Sequence, residues 1–120
     1  MRKLTFTSLQ VRDLELSKDF YTNKLGFEIA DASNPVACIF KYNDGEASFA
    51  IRTPIGDIVG KELGVGASLW FAIDGEVEDL RANLLAKDVL VLTPVQQTPF
   101  GKMIVVRDPD GYNITFLQSN

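Results

Sequence analysis

The sequence predicts an α+β fold made of two tandem βαβββ modules that form a curved, mixed-sheet cup, and three observations carry that expectation. The stretch VRDLELSKDFYTNKLGF (11–27) packs a strand end, a capped helix, a glycine stop and a new strand into one short unit. Sliding the chain so that Val11 falls on Ile73 lays one helical pattern on another, and an internal repeat constrains a fold more than any isolated motif. Every strand-like run alternates, so each module offers one sheet with a single helix on one face. The 120 residues are enough for one domain with a real core, here read as modules at 1–57 and 67–120 joined by a connector at 53–66.

Residues 4–11 carry apolar side chains mostly two apart and read as the first strand. Asp13 then stands at a helix N-cap, where its carboxylate can accept the orphan N–H groups of the first turn. Leu16, Phe20, Tyr21 and Leu25 share one helical face and are expected in the core. Gly26 suits the left-handed residue that ends a helix, and Phe27-Glu28-Ile29 begins the next strand. Residues 31–35 read as a turn, 36–42 as a strand, Asn43-Asp44-Gly45 as a hairpin turn and 47–52 as a half-buried strand. From 53 to 66 the alternation dissolves around Pro54 and four of the nine glycines, the mark of a flexible connector.

The second module repeats the plan. Residues 68–73 alternate as a strand, and Asp74-Gly75 opens a helix whose inward face is expected to be Val77, Leu80, Leu84 and Leu85. Residues 89–92 start a strand, 94–101 read as a loop and 103–107 as a strand. Asp108-Pro109-Asp110-Gly111 is a turn, and 113–117 form the last strand.

Apolar content assigns Leu9, Val11, Phe49, Ile51, Leu69, Phe71, Ile73, Ile104, Val106, Ile114 and Phe116 to the helix-covered faces. The opposite faces carry Phe6, Ser8, Ala50 and Arg52 in the first module, and Ser68, Trp70, Met103, Arg107 and Thr115 in the second. That mixture of aromatic, small and polar groups is a poor dry core and reads as a ligand cup. Trp70 and Phe6 would stack on a ligand, or fill the cup themselves. Arg52 and Arg107 would meet an anionic or carbonyl-bearing group, Ser8, Ser68 and Thr115 would hydrogen-bond, and Met103 would adapt its shape.

Composition removes whole classes of chemistry. Net charge is −4 with no basic run, so nothing supports binding to nucleic acid. No stretch approaches the ~18 apolar residues of a membrane span. Met1-Arg2-Lys3 starts like a signal peptide but no apolar region follows, and a cytoplasmic home is expected. The lone Cys38, in an apolar run, reads as a buried reduced thiol. The chain has no histidine, which excludes His-containing triads, His bases and His-ligated metals. A hard cation would need clustered Asp and Glu.

V-x-D-L-x-x-S-x-x-FY-x-x-x-LGF paired with DPDGYNITFL resembles the vicinal oxygen chelate superfamily over essentially the whole chain. That superfamily includes glyoxalase I, ring-cleaving dioxygenases and bleomycin resistance proteins. The resemblance implies a metal held by four side chains, usually His, Glu and Gln, at the positions occupied here by Phe6, Ala50, Ser68 and Thr115. Phe and Ala cannot ligate, and neutral hydroxyls are weak ligands, so the family's metal is not expected and no cofactor is assigned. The chain is similar to the bleomycin resistance branch, which implies a homodimer that sequesters an aromatic or amphipathic small molecule without catalysis. The alternative is a lyase, isomerase or dioxygenase of the same fold with an atypical metal site or none. Glu46, Asp57, Glu62, Asp108 and Asp110 are its candidate acids, although the turn alone explains Asp108 and Asp110. A third reading is a structural dimer with Tyr21, Phe40, Tyr42 and Phe100 at its interface.

Overall fold

A computed structural model describes residues 1–31, 34–42 and 48–120. The expected Asn43-Asp44-Gly45 turn, the candidate acid Glu46, Ala47 and part of the 31–35 turn lie outside the described residues. The chain divides into two compact units, Met1–Lys61 and Glu62–Asn120, parted inside the stretch read as a connector.

The first unit contains β1 (Phe6–Gln10), α1 (Leu14–Asp19), β2 (Glu28–Asp31), β3 (Ala37–Lys41) and β4 (Ser48–Arg52). Its sheet runs β1-β4-β3-β2, with β1 parallel to β4 and the other pairs antiparallel. Asp13 caps α1 as expected, its carboxylate accepting the Leu16 N–H at 3.1 Å. Leu16, however, faces solvent with 55% exposure, and Ser17 takes the inward place at 1%. The helix continues as a π-helical turn over Phe20–Lys24, in which the Leu25 N–H reaches the Phe20 carbonyl at 3.0 Å. From Ser17, α-helical spacing would bring Lys24 inward. The extra residue of the π turn brings the buried Leu25 there instead. Gly26, at φ 84, then ends the helix.

That geometry aims Tyr21 at the sheet. Its ring lies 5.7 Å from Phe40 and 5.6 Å from Phe49, while Phe40 and Phe49 stack at 4.8 Å. Tyr21 and Phe40 have no exposed surface, so they are core and not the interface residues that the dimer reading took them to be. Cys38 is buried as expected, and burial pushes its thiol pKa up. The first part of the connector is tied down. The Gln10 side-chain oxygen accepts the Ile55 N–H at 2.9 Å, and Arg12 donates to the carbonyls of Ile58 and Lys61.

The second unit contains β5 (Leu69–Ala72), α2 (Val77–Ala86), β6 (Leu90–Val91), β7 (Gln96–Thr98), β8 (Gly101–Arg107) and β9 (Asn113–Ser119). Its sheet runs β5-β9-β8-β6, with β5 parallel to β9 and β7 paired to β8. The expected 94–101 loop therefore holds a strand. Gln96-Gln97-Thr98 has no apolar alternation to announce it, and Pro94 and Pro99 mark its ends like a loop.

The α2 stripe also departs from expectation. Val77 and Leu84 are fully buried, but Leu85 is 46% exposed. Arg81 instead completes the i, i+3, i+4, i+7 stripe and carries its guanidinium to the Thr93 carbonyl at 3.2 Å. The Val77 N–H is satisfied by the Gln118 side chain of β9 at 2.8 Å, with no local cap. At the C-terminal end Asp88 adopts φ 60, and the Val89 and Asp88 amides return to Leu84 and Leu85 in a Schellman motif built on aspartate.

The register matches the repeat. Ser8 pairs with Ala50 in the first sheet and Trp70 with Thr115 in the second, at the step that lays Val11 on Ile73.

Candidate functional site

In the first unit, Phe6 and Ser8 of β1 lie beside Ala50 and Arg52 of β4 on the sheet face turned from Tyr21. Phe6 is 51% exposed and Ser8 is exposed, whereas Ala50 is buried. Ala50 sits on an inner strand, flanked across the register by Ser8 and Ile39. Arg52 is half-buried and donates from Nε to the Thr53 carbonyl at 3.0 Å.

In the second unit the face opposite α2 carries two distinct features. The first is an aromatic corner. Trp70 on β5 is 48% exposed, its indole N–H donates to the Ser68 hydroxyl at 3.0 Å, and Phe100 stands edge-on to it with ring centroids 6.5 Å apart. Thr115, beside Trp70 on the inner strand β9, is buried, and Met103 is half-buried on β8. Sequence reasoning missed Phe100 as a ligand surface. The one cue was an aromatic placed at the tip of a Pro-Gly turn.

The second feature is a cavity of about 590 Å³ between residues 62–68 on one side and Arg107, Asp110, Gly111 and Asn113 on the other. The Gly64 N-terminal wall rests on the Tyr112 ring, and the Ala67 N–H closes a turn onto the Gly64 carbonyl at 3.1 Å. Opposite, the Asp108 carboxylate accepts the Asp110 and Tyr112 amides, both at 2.9 Å, so the turn reading of Asp108 holds. Arg107 directs Nε and Nη2 at the Asn113 side-chain oxygen, each at 3.3 Å. Of the candidate acids, Glu62 and Asp110 line this cavity; Asp57 lies in the first unit, where it accepts the Val59 N–H at 3.0 Å.

The four positions to which the resemblance assigns a metal do not fit one. Phe6 and Ala50 carry no donor atom, and the Ser68 hydroxyl is already the acceptor of an indole N–H. Among the described residues, no group of three or more His, Cys, Asp or Glu side chains is placed to hold a metal, and no helix is long and apolar enough to cross a membrane.

The fold is shared with solved structures. It is similar to TnmS3, an antibiotic binding protein from Streptomyces sp. CB03234, with 23% identity, TM-score 0.80 and 100% of this chain aligned to 98% of that one. A glyoxalase/bleomycin resistance protein from the same source has 24% identity and TM-score 0.77, with 97% and 100% of the two chains covered. A glyoxalase-related enzyme from Fulvimarina pelagi has 23% identity and TM-score 0.76, with 99% and 89% covered. No curated protein matches the chain in sequence. Residues 3–116 match the family model described as the Glyoxalase/Bleomycin resistance protein/Dioxygenase superfamily, and the chain belongs to that superfamily.

Proposed function

We propose that this chain is a small-molecule-binding protein that works without the superfamily's metal, sequestering an aromatic or amphipathic ligand stoichiometrically as a homodimer. The observation that carries this reading is the aromatic corner. An indole held in place by Ser68 and standing edge-on to Phe100 keeps about half its surface open, a flat face on which an aromatic ligand can stack. Lewis-acid chemistry needs a cation to polarise an oxygen, and Phe6 and Ala50 cannot hold one. That TnmS3 is an antibiotic binding protein points the same way. Phe6, Ser8, Ala50 and Arg52 of the first sheet, with Ser68, Trp70, Met103, Arg107 and Thr115 of the second, belong to the proposed ligand surface.

Trp70 is the only tryptophan, so its emission reports directly on the site. Titration with hydroxymethylanthracene, which accepts energy from indole, should quench it saturably with one equivalent bound per chain. No quenching up to the solubility of the probe would refute the reading. Light scattering tests the homodimer.

A second reading, an enzyme of the same fold, is favoured by Glu62 and Asp110 lining one cavity. Divalent cations separate the two. A metal-dependent enzyme gains thermal stability from its own ion, and a metal-independent binder does not respond.

A further inference from the structure

We infer that the ligand carries an uncharged apolar chain, which runs from its ring on Trp70 across the second sheet to Leu92 at the far edge. This deepens the proposed function and rests on it. The register sets the path. Trp70 of β5 stands beside Thr115 of β9, and Thr115 beside Val105 of β8. The Leu92 N–H donates to the Val105 carbonyl at 2.8 Å, so the four residues form one row across the strands. Val105 lies between the fully buried Ile104 and Val106, which puts the row on the face opposite α2. Its exposure is concentrated at the two ends: Trp70 is 48% and Leu92 38% exposed, while Thr115 is buried and Val105 half-buried. At one strand spacing per step, those ends lie about 14 Å apart.

The side chains decide what lies along the row. Neither it nor the next row, Ala72-Leu117-Met103-Gln96, contains a charged group. Arg107, one row away on the other side, turns its guanidinium onto Asn113. A charged substituent laid here would lose water and gain no partner, whereas a hydrocarbon loses nothing. The edge strands give a second, independent observation. Gln96-Gln97-Thr98 of β7 is polar, as an exposed edge ordinarily is. β6 and the residue after it instead present Leu90, 58% exposed, and Leu92, and Leu90 pairs with Arg107 on the same face. Two exposed leucines at the end of a row that begins at an exposed tryptophan make a continuous apolar strip. Its area, one row wide, is on the order of 100 Å², against about 800 Å² a side for a stable protein interface, so it fits a small molecule and not a partner chain.

The test titrates four N-alkyl dansylamides, with methyl, butyl, octyl and dodecyl chains, against Trp70 emission in the intact chain; the dansyl ring accepts energy from indole. The octyl probe is expected to bind about tenfold tighter than the butyl. The dodecyl probe should bind no tighter than the octyl, because β6 is the edge of the sheet. Leu92→Gln should remove most of the octyl gain and leave the methyl and butyl affinities unchanged. Leu90→Gln, at the more exposed neighbour, gives the same readout should Leu92→Gln fail to fold. A gain that continues unbroken to dodecyl, as bulk hydrophobicity alone would give, overturns the inference and leaves aromatic binding standing. So does equal binding of the methyl and octyl probes, or an octyl affinity untouched by both substitutions. If none of the probes quenches Trp70, the proposed function itself fails.

Discussion

The wall of the cavity depends on one glycine, and replacing it separates two costs. A Cβ built on Gly64 would lie 2.6 Å from the Tyr112 Cδ1 atom and 3.3 Å from its Cα. Neither is the tip of a swinging side chain. Cδ1 is fixed to the root of a buried ring, and Cα is backbone, so the neighbour cannot move aside cheaply. Gly64 also has φ +74, which alanine adopts at a cost of about 1–2 kcal/mol. Overpacking of this kind adds about 1–3 kcal/mol. Gly66, two residues on, provides the control: its φ is +80 but nothing lies within 4 Å of its would-be Cβ. Gly66→Ala should therefore cost about 1–2 kcal/mol and Gly64→Ala about 2–5 kcal/mol. Urea unfolding followed by near-UV circular dichroism measures both, and the excess at Gly64 should shrink in a Tyr112→Ala background, as coupled neighbours require. Equal losses for the two alanine variants would show that Tyr112 does not press on Gly64, and the described cavity wall would be wrong.

Other perturbations read other parts of the chain. Asp13→Ala removes the carboxylate that accepts the Leu16 N–H and should lower stability by about 1 kcal/mol in the same unfolding assay. Asp88→Gly should raise it by about 0.5–1 kcal/mol, because Asp88 holds φ 60 where glycine carries no steric penalty. Gly101→Ala should fail to fold or lose more than about 3 kcal/mol, since its Cβ would sit 2.1 Å from the Gln118 carbonyl oxygen, a backbone atom in the paired strand. Cys38 gives a pH signature. Desolvation raises its pKa in the folded state, so its contribution is complete below the free thiol's range and is lost as pH rises through the folded value. Cys38→Ala should flatten that alkaline slope, and a slope unchanged by the substitution would contradict the burial.

Much of this fold was legible because it rests on alternation and caps. The strands β1, β4, β8 and β9, the Asp13 cap and the Gly26 stop follow from local rules that the tertiary structure does not override. The misreadings share a cause. Leu16 and Leu85 were placed inward because periodicity counts hydrophobic residues and cannot see a π turn at Phe20–Lys24 or an arginine stem lying at Arg81. β7 was invisible because an edge strand of polar residues has no inward face to encode. Of the open faces that alternation assigns, Phe6, Ser8, Ser68, Trp70 and Arg107 are exposed, Arg52 and Met103 are half-buried, and Ala50 and Thr115 are buried on inner strands, where neighbours on both sides cover small side chains. The cavity was not legible, since residues 62–67 line it through a turn of the main chain set by Gly64 and Gly66, and a glycine-rich stretch carries no sign of which surface it will face.

The repeat also shows where the two units part company. Equivalent registers hold Ser8-Ala50-Ile39 in the first sheet and Trp70-Thr115-Val105 in the second. Both units keep rings beneath the sheet, Tyr21-Phe40-Phe49 in the first and Phe71-Phe116 in the second, and each puts one exposed ring on the opposite face, but at different register positions: Phe6 in the first, whose counterpart is Ser68, and Trp70 in the second, whose counterpart is Ser8. A ring beneath the sheet contributes packing; a ring on the open face contributes little to folding, since half of it stays in water. Exchanging Trp70 for serine, the residue its counterpart position holds, discriminates: a ligand-binding role predicts loss of probe affinity with a melting temperature changed by no more than about 4 °C. A larger drop in stability would make Trp70 a packing residue and remove the observation on which the binding reading stands.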